Sequence, residues 1–388
     1  MRPKLKDIKE ENKEPTDKNP ESEFLRVGAI IMLIALILSQ FIYYQTAVLG
    51  FFFWIGLGIA RLFAPKKEKS FKFKESPVAF LAVETILIIL LIFVCIGWFL
   101  AGKFYFAEAN YRKGFYEPNL DKKITYFNKA RFLNPYQIVY INVLANTYLA
   151  RLQNEVSKSQ EEIDQNKLYQ DTALAVDWAR RATRVFPNKV LAWQNLGNVY
   201  RNLRGIAQGA EEQAIQAYQK ALELDPKNTT LYVEIGKLQA ALDKDEEARQ
   251  NFQKALEIDP EFIPAQIQLA LLLEKEGKQD EAIAKLEEIV ASYPLNIEAN
   301  FQLGRLYYNN DEIDKAIQQL TQTLQLSPLH SNARFSLALA YEKKGEYQKA
   351  FDHIQIVAQL NPDNKTVQDK LEELRKKVGT LKEGTEKE

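Results

Sequence analysis

Few residues in this chain combine a reactive type with a spacing that supports catalysis. The single cysteine, Cys95, lies in an apolar stretch, where a thiol packs as a small hydrophobic side chain. The two histidines, His330 and His353, are too few for a conventional zinc site, and we expect both on solvated helix faces. The sequence has no glycine-rich phosphate loop, no His-Glu-x2-His, no paired-cysteine motif and no Gly-x-Ser-x-Gly. We therefore expect no enzyme activity, no metal and no cofactor.

Carboxylates are abundant, but most alternate with lysine and arginine, which is typical of solvated helix faces. Glu84 differs because it lies about seven residues into an apolar helix expected to begin at Pro77. That position is roughly 10 Å from the helix end. An ionisable residue inside a membrane span is a functional candidate by default. The alternative is an interfacial carboxylate that reaches headgroup water or pairs with a neighbouring helix.

The composition sets the class of protein and excludes one class of partner. The chain has 388 residues, of which 46% are apolar and 26% charged, enough for a large core. Lysine plus arginine and aspartate plus glutamate both number 51, so no net positive field is available to hold a phosphate backbone. We expect no nucleic-acid partner.

Proline recurs at a fixed interval through the second half of the chain. The interval is 34 residues each time, at Pro226, Pro260, Pro294, Pro328 and Pro362. A fixed period of this length is typical of stacked supersecondary repeats. Between the prolines the apolar residues follow helical spacing, which predicts two antiparallel helices in each unit, with proline just beyond the second. Such stacks form extended binding surfaces rather than catalytic pockets.

One unit matches a known repeat signature over its whole length. It contains, in order, Trp193, Leu196, Gly197, Tyr200, Ala214, Tyr218, Ala221 and Pro226. The pattern resembles the tetratricopeptide repeat, whose signature is Trp-x2-Leu-Gly-x2-Tyr followed by spaced Ala, Phe, Ala and Pro. The resemblance implies an α-solenoid and a binding role.

The repeat extends upstream and ends in a cap, which gives about seven units. A degenerate first unit covers roughly 104–135, and the next has an 18-residue excess that we assign to the polar run 153–167. In the unit with the full signature, five extra residues within 204–209 lengthen the turn between its helices. A charged helix over 365–378 provides the polar cap that a stack requires. The predicted fold is therefore all-α: N-terminal transmembrane helices, then a solenoid of about seven helix pairs and a C-terminal capping helix.

The N-terminal quarter is predicted to span a membrane three times. Between Arg26 and Arg61 no residue is charged over 34 positions. One helix of that length would be about 50 Å long, well beyond a hydrocarbon core of ~30 Å. Two passes with a tight turn therefore fit 24–63 better, and a third span is expected over 77–102.

Loop charge predicts the orientation of these spans. Seven lysines and arginines lie within 1–26 and six lie within 61–74, but the turn at 43–46 has none. The positive-inside rule places the N-terminus and the linker in the cytoplasm, so an odd number of spans puts the repeats outside. We predict a multi-pass protein of the cytoplasmic (inner) membrane with its repeats on the outer, periplasmic side. The predicted segments are a disordered tail (1–23), a transmembrane hairpin (24–63), a basic linker (64–76), a transmembrane helix (77–102), the solenoid (103–364) and the capping helix with a charged tail (365–388).

The tetratricopeptide resemblance also implies a ligand site, because in that family the first helix of each unit lines a concave groove. The inward positions fall on Asn142, Asn146, Gln194, Asn198, Arg201, Asn202, Lys237, Arg305, Tyr308 and Lys343. The apolar inward positions are Val233, Ile267, Leu271, Phe335 and Leu339. The amides, with Arg201 and Lys237, could bind an extended peptide backbone or a carboxylate. The alternative is that these side chains are only hydrated. The family's full carboxylate clamp is not reproduced.

A second resemblance concerns the membrane part. The stretch 40–62, with its Phe-Trp-x-Gly-Leu-Gly core, is similar to the final membrane hairpin of the O-antigen ligase/polymerase family, and the likeness extends over 26–101. In that family, catalysis is attributed to arginines and histidine in a large external loop that this sequence lacks. The resemblance implies either an accessory subunit or the C-terminal part of a longer enzyme.

These observations predict a membrane-anchored scaffold on the outer face of the cytoplasmic membrane. Its expected partners are a protein or peptide in the concave groove and the lipid bilayer, and envelope polysaccharide machinery is a candidate partner. The alternative is the C-terminal portion of an O-antigen ligase/polymerase-like glycan transferase without its catalytic loop. A third class, a cytoplasmic chaperone-docking adaptor, would require the opposite topology.

Overall fold

The computed structural model describes residues 77–158 and 162–385. These residues form α-helices and include no strand, which confirms the predicted all-α class. The predicted tail 1–23, hairpin 24–63 and linker 64–76 lie outside the described residues. The described helices are α1 (Pro77–Tyr116), α2 (Leu120–Leu133), α3 (Ile138–Val156), α4 (Gln165–Val185), α5 (Val190–Asn202), α6 (Ala210–Leu224), α7 (Thr229–Ala241), α8 (Asp245–Ile258), α9 (Ile263–Lys275), α10 (Gln279–Ser292), α11 (Ile297–Asn309), α12 (Ile313–Leu326), α13 (Ser331–Lys343), α14 (Tyr347–Leu360) and α15 (Lys365–Thr385).

Contacts divide the chain between Phe106 and Ala107 into two units. In the first unit the structure describes the part of α1 that precedes Ala107. By length and composition alone, one described helical segment, Ile92–Tyr116, is long and apolar enough to cross a membrane. It overlaps the predicted third span, 77–102. Glu84 lies on α1, and its side chain is outside the described part of the chain.

Helix α1 also supplies the first helix of the repeat region, because it continues past Gly102 to Tyr116. From Ala107 onward it packs against the next two helices, in a cluster with Ala130 and Tyr140. Gly114 lies so close to the Phe127 ring on α2 that a Cβ atom there would overlap it. The degenerate first unit is therefore formed by the end of α1 with α2.

The compact unit that begins at Ala107 is a stack of helix pairs, and each pair is one repeat unit. Each helix contacts its neighbours in sequence, and first helices of successive units also contact each other: α3 with α5, α7 with α9, and α11 with α13. A curved stack brings its elements closest together on its concave side. The first helices therefore line the concave face, as the family resemblance implies.

Small residues set the distance between the two helices of a regular unit. Gly236 on α7 faces the ring of Phe252 on α8, and Gly304 on α11 faces Leu320 on α12. At both positions a Cβ atom would overlap the facing side chain, with 2.8 Å to Phe252 Cδ1 and 2.8 Å to Leu320 Cγ. The repeated small residue in the sequence signature is thus a packing requirement.

The turn inside each regular unit has one left-handed residue at a fixed position. These residues are Asp243, Gly277, Asp311 and Gly345, with φ of 58°, 80°, 66° and 84°. They recur every 34 residues. Glycine adopts this conformation without steric cost and aspartate tolerates it, so both residue types end the first helix and reverse the chain.

The second repeat unit, α3 with α4, departs from this regular length. Its 18-residue excess is predicted at 153–167, where α3 continues to Val156 and α4 begins at Gln165. Helices α3 and α4 have 19 and 21 residues, against 13 and 14 in α7 and α8. Part of the excess therefore extends both helices. The five extra residues within 204–209 do lie in the turn between α5 and α6, as predicted.

The expectation that both histidines occupy solvated helix faces is wrong. His330 is the N-cap of α13, where its Nδ1 accepts a hydrogen bond from the Ala333 amide at 3.1 Å. His353 is half-buried and stacks on Tyr341, with ring centroids 5.6 Å apart. Burial, reinforced by the positive charge of Arg334, lowers the pKa of His353. Both imidazoles therefore have structural roles, His330 in a local helix cap and His353 in a stack on Tyr341.

Candidate peptide-binding groove

A shallow depression lies on the concave face between α5 and α7. It has a volume of about 300 Å³ and is lined by Arg201, Asn202, Arg204, Glu234, Lys237 and Leu238. Three of these residues, Arg201, Asn202 and Lys237, are among the predicted groove positions. The structure therefore brings together side chains from two successive units.

Glu234 is the carboxylate in the lining of this depression and pairs with two of its three cations. Its carboxylate pairs with Arg201 from α5 and with Lys237 Nζ at 3.2 Å. Burial works against the charge of Arg201, but Tyr218 and Glu234 outweigh it and raise the pKa of the guanidinium. Arg201 and Lys237 remain partly exposed, with side-chain exposures of 41% and 43%. The site therefore presents two cations that share one carboxylate, with Arg204 as a third cation in the lining.

The predicted amides on α5 are held by neighbours within the groove. Asn198 Oδ1 accepts a hydrogen bond from the buried Tyr218 hydroxyl at 2.7 Å. Asn202 Nδ2 donates to the Asn198 carbonyl at 2.7 Å, and its Oδ1 accepts from Gln153 Nε2 at 3.5 Å. Burial raises the pKa of Tyr218, so its hydroxyl stays a donor at physiological pH. Asn198 is therefore oriented by the second helix of its own unit.

Three other predicted positions, Arg305, Tyr308 and Lys343, belong to a second group on α9, α11 and α13. Arg305 donates two hydrogen bonds to the Glu274 carboxylate, at 2.9 and 2.5 Å, and Asn309 adds a third at 3.1 Å. Tyr308 lies under the Lys343 ammonium, 5.3 Å from its ring centroid, and Lys343 pairs with Asp311 at 2.6 Å. This group resembles the first in pairing cations with carboxylates of an adjacent unit.

The remaining predicted positions differ in accessibility. Asn146 is exposed and Gln194 is half-buried, whereas Asn142 is only 6% exposed and its Oδ1 has no hydrogen-bond partner among the described residues. Of the apolar set, Val233 and Ile267 are 2% exposed and belong to the core. The other three are half-buried: Leu271, Phe335 and Leu339. Asn142, Val233 and Ile267 therefore do not present their side chains to a ligand.

The sequence analysis missed the carboxylates that lie between the groove cations. Glu234 follows Arg201 by 33 residues, and Glu274 precedes Arg305 by 31. Opposite charges separated by nearly one repeat length face each other when the units stack. That spacing is the signal that would have identified Glu234 and Glu274 as groove residues.

The geometry supports binding chemistry. Among the described residues, no group of three or more His, Cys, Asp or Glu side chains is placed to hold a metal ion. The groove presents guanidinium, ammonium, carboxylate and amide groups at the spacing of successive units. Such a row can hydrogen-bond the backbone of an extended peptide and pair with charged side chains of either sign.

Comparisons with known proteins agree with the repeat assignment. Sequence models described as tetratricopeptide or TPR repeat match 206–243, 229–262, 273–324 and 301–365. A tetratricopeptide repeat protein from Parabacteroides merdae is similar in structure, with 16% identity, a TM-score of 0.53, and coverage of 69% of this chain and 98% of that one. These findings confirm that the chain carries tetratricopeptide repeats stacked as a solenoid.

Smaller solved structures match part of the chain. YrrB, described as a TPR protein with an unusual peptide-binding site, is 24% identical and covers 49% of this chain and 96% of its own, with a TM-score of 0.32. MamA from Desulfovibrio magneticus RS-1 is 22% identical and covers 44% of this chain and 97% of its own, with a TM-score of 0.34. A search of curated proteins finds no match.

Proposed function

We propose that this chain, as a tetratricopeptide-repeat protein, is a scaffold that holds an extended segment of a partner protein in the groove between α5 and α7. The observation that carries the proposal is the depression in which Arg201, Glu234 and Lys237 from two successive units form one partly exposed, ion-paired group. With Arg204, the lining has three cations and one carboxylate, so a partner segment with an acidic side chain would fit it.

Photo-crosslinking in cells tests the groove. A photoreactive residue at Asn202, on the concave face, should crosslink to a partner, whereas one at Lys220 on α6 should not. Arg201→Glu combined with Asn198→Ala should abolish the crosslink, because it places two carboxylates side by side and removes the oriented amide. Lys220→Glu, an exposed charge reversal on a second helix, is the matched control. A crosslink that survives the Arg201→Glu and Asn198→Ala changes would contradict the groove as the binding site.

We also propose that the N-terminal part anchors the scaffold in the cytoplasmic membrane, with the repeats on the outer side. The exposed apolar side chains within 92–106 and the charge distribution of 1–76 support this proposal. Envelope polysaccharide machinery is the partner class to examine first, on the strength of the similarity over 26–101. Protease added to cells with a permeabilised outer barrier should remove the repeats. Full protection of the repeats, with lysis restoring cleavage, would reverse the orientation.

A further inference from the structure

The turns that join successive units form one edge of the solenoid, here called the turn edge, and its charge changes along the stack. Each turn lies around a repeat proline, and the first two are covered by 127–138 and 179–190. These two segments contain six lysines and arginines and no aspartate or glutamate. The corresponding segments 252–263 and 286–297 contain one lysine and five acidic residues. Among these four segments, net positive charge is therefore confined to the first two turns.

Helix dipoles do not account for this difference. A cation in the last turn stabilises a helix end, and Arg131 on α2 and Arg184 on α4 occupy such positions. The five later second helices, α6, α8, α10, α12 and α14, have no basic residue in the last turn. A general requirement of the repeat would affect all of them equally.

Two of these cations meet across the boundary between the first two units. Arg131 from α2 and Arg181 from α4 both lie over the ring of Trp178, at 5.0 and 5.3 Å from its centroid. No described carboxylate lies within salt-bridge distance of either guanidinium, and Arg131 Nε is buried without a hydrogen-bond partner among the described residues. Burial and the charge of Arg181 lower the pKa of Arg131, as expected for cations left without anions.

Large apolar side chains are exposed beside these cations. Phe132 at the end of α2 is 75% exposed, and Tyr136, directly after Pro135, is 81% exposed. Val185 and Leu191, which flank the second turn, are 43% and 48% exposed. Within the same segments, Lys129 and Lys189 are also exposed. One acidic residue lies nearby, Asp177, which pairs with Arg184 at 3.4 Å.

We propose that the turn edge of the first two units rests on the surface of an anionic lipid bilayer. Cationic side chains interspersed with exposed aromatic and aliphatic ones are suited to the headgroup region, where charge meets phosphate and the rings enter the interface. The first turn also lies where the chain enters the repeats, because Ala107 packs with Ala130, Leu133 and Tyr140 on either side of Tyr136. The proposal rests on the proposed membrane anchor.

The experiment uses the full chain in vesicles, with the native cysteine removed by Cys95→Ala. An environment-sensitive fluorophore is attached through Tyr136→Cys or, as the matched control, Leu329→Cys. Both positions directly follow a repeat proline and are highly exposed, at 81% and 71%. In vesicles rich in phosphatidylglycerol, a lipid-borne quencher should quench the fluorophore at 136. It should not quench the fluorophore at 329, which stays in water.

Charge reversal tests the cause of that contact. Arg131→Glu with Arg181→Glu should lower the lipid-contacting fraction of the label at 136 by about tenfold or more, since each cation near an anionic surface adds several-fold to its occupancy. Lys227→Glu with Lys254→Glu, two exposed reversals further along the stack, should leave it unchanged. Vesicles of phosphatidylcholine alone should give the same low quenching as the Arg131→Glu and Arg181→Glu variant.

The outcomes separate this proposal from the ones on which it depends. A chain that floats with the vesicles but keeps the label at 136 in water overturns the lipid contact alone. A chain that does not float overturns the anchor and the lipid contact together, while partner crosslinking at Asn202 remains a separate result. Binding of a polyglutamate peptide that is lost on Arg131→Glu and Arg181→Glu, with no lipid quenching at 136, would assign the edge to an acidic protein and overturn the lipid proposal.

Discussion

The second unit of the solenoid, α3 and α4, and the regular units from α7 to α14 solve the same packing problem differently. The regular units have helices of 13 and 14 residues joined by small residues against large ones. The second unit buries the ionised residues Asp171 and Glu155, which are 0% and 1% exposed. In the regular units, the buried polar side chains among the described residues are an amide, Asn300, and a hydroxyl, Thr323. Departure from the repeat length is thus accompanied by buried charge.

Arg151 is the centre of the polar network in the second unit. Its guanidinium bonds to both oxygens of Asp171 on α4, with Nε at 2.8 Å from Oδ2, and to Asp121 on α2 at 2.5 Å. One cation therefore joins three helices of two units. The regular units are joined mainly through exposed or half-exposed pairs, such as Lys344, which follows α13, with Asp314 on α12 at 2.7 Å. The same distances carry different energies, because only the pair of Arg151 with Asp171 is removed from water.

The largest effect that separates the two regions is expected from Asp171→Ala. This change leaves the largely buried Arg151 with only the exposed Asp121 as its partner, and we expect a loss of about 3 kcal/mol in the free energy of unfolding of α3 and α4. Asp314→Ala, which breaks an exposed pair, should cost less than about 0.5 kcal/mol. Hydrogen exchange measured peptide by peptide on the full chain distinguishes local from global loss. Equal losses for the two variants would remove the contrast between the regions.

The next largest loss of stability is expected from Gly236→Ala, at the contact between the two helices of a regular unit. The new methyl group would overlap the Phe252 ring, and overpacking should outweigh the gain of about 1 kcal/mol in helix propensity, for a net loss of about 1–2 kcal/mol. The equivalent pair in the next unit is Ala270 with Leu286, both fully buried in one cluster. Phe252→Leu should therefore rescue Gly236→Ala, measured by urea denaturation. If the double variant loses as much stability as the two single variants together, overlap with the Phe252 ring is not the cause of the loss in Gly236→Ala.

The regular units were predictable because their information lies in the period. The 34-residue spacing gives the helix pairs, and small residues such as Gly236 indicate where helices approach closely. The network around Arg151 could not be predicted, because its partners at Asp121 and Asp171 lie in segments of irregular length. The groove position of Arg201 followed from the family resemblance. Its partner Glu234 was missed, because a carboxylate on an exposed helix face looks the same in sequence whether or not it faces a cation.

A smaller effect tests the helix starts of the regular units. Asn296 is the N-cap of α11, and its Oδ1 accepts the Ala299 amide hydrogen bond at 2.9 Å. Asn296→Ala should cost about 1 kcal/mol, and Asn296→Asp should retain most of the stability, because its carboxylate can accept the same bond. Thermal unfolding of the two variants in parallel provides the measurement. If alanine and aspartate are equally destabilising, the cap is not the source of the loss.

Acidification gives the last test, and its effect is absent at neutral pH. Hydrogen bonds from Lys158 and from the Asp164 amide lower the pKa of Glu155 from its ordinary value of 4.5 to about 2. A lowered carboxyl pKa stabilises the folded state fully above the unfolded value, and this contribution is lost as the pH falls from about 4.5 towards 2.

The connection between α3 and α4 should therefore open in this window before the regular units do. Pepsin, which is active there, should cut within 150–170 at rates that rise steeply below pH 4. Glu155→Gln should be cut readily across the whole window, with a flat pH profile, because no proton is left to bind. At the capping helix, hydrogen bonds from Lys370 and Lys377 lower the pKa of Glu373 to about 2 as well, but its side chain is 46% exposed. Because solvent screens this exposed charge, Glu373→Gln should destabilise the protein less than Glu155→Gln does. If acid instead loosens the capping helix first, burial of the carboxylate does not decide which segment opens first. The contrast between the second unit and the regular units would then depend on Arg151 alone.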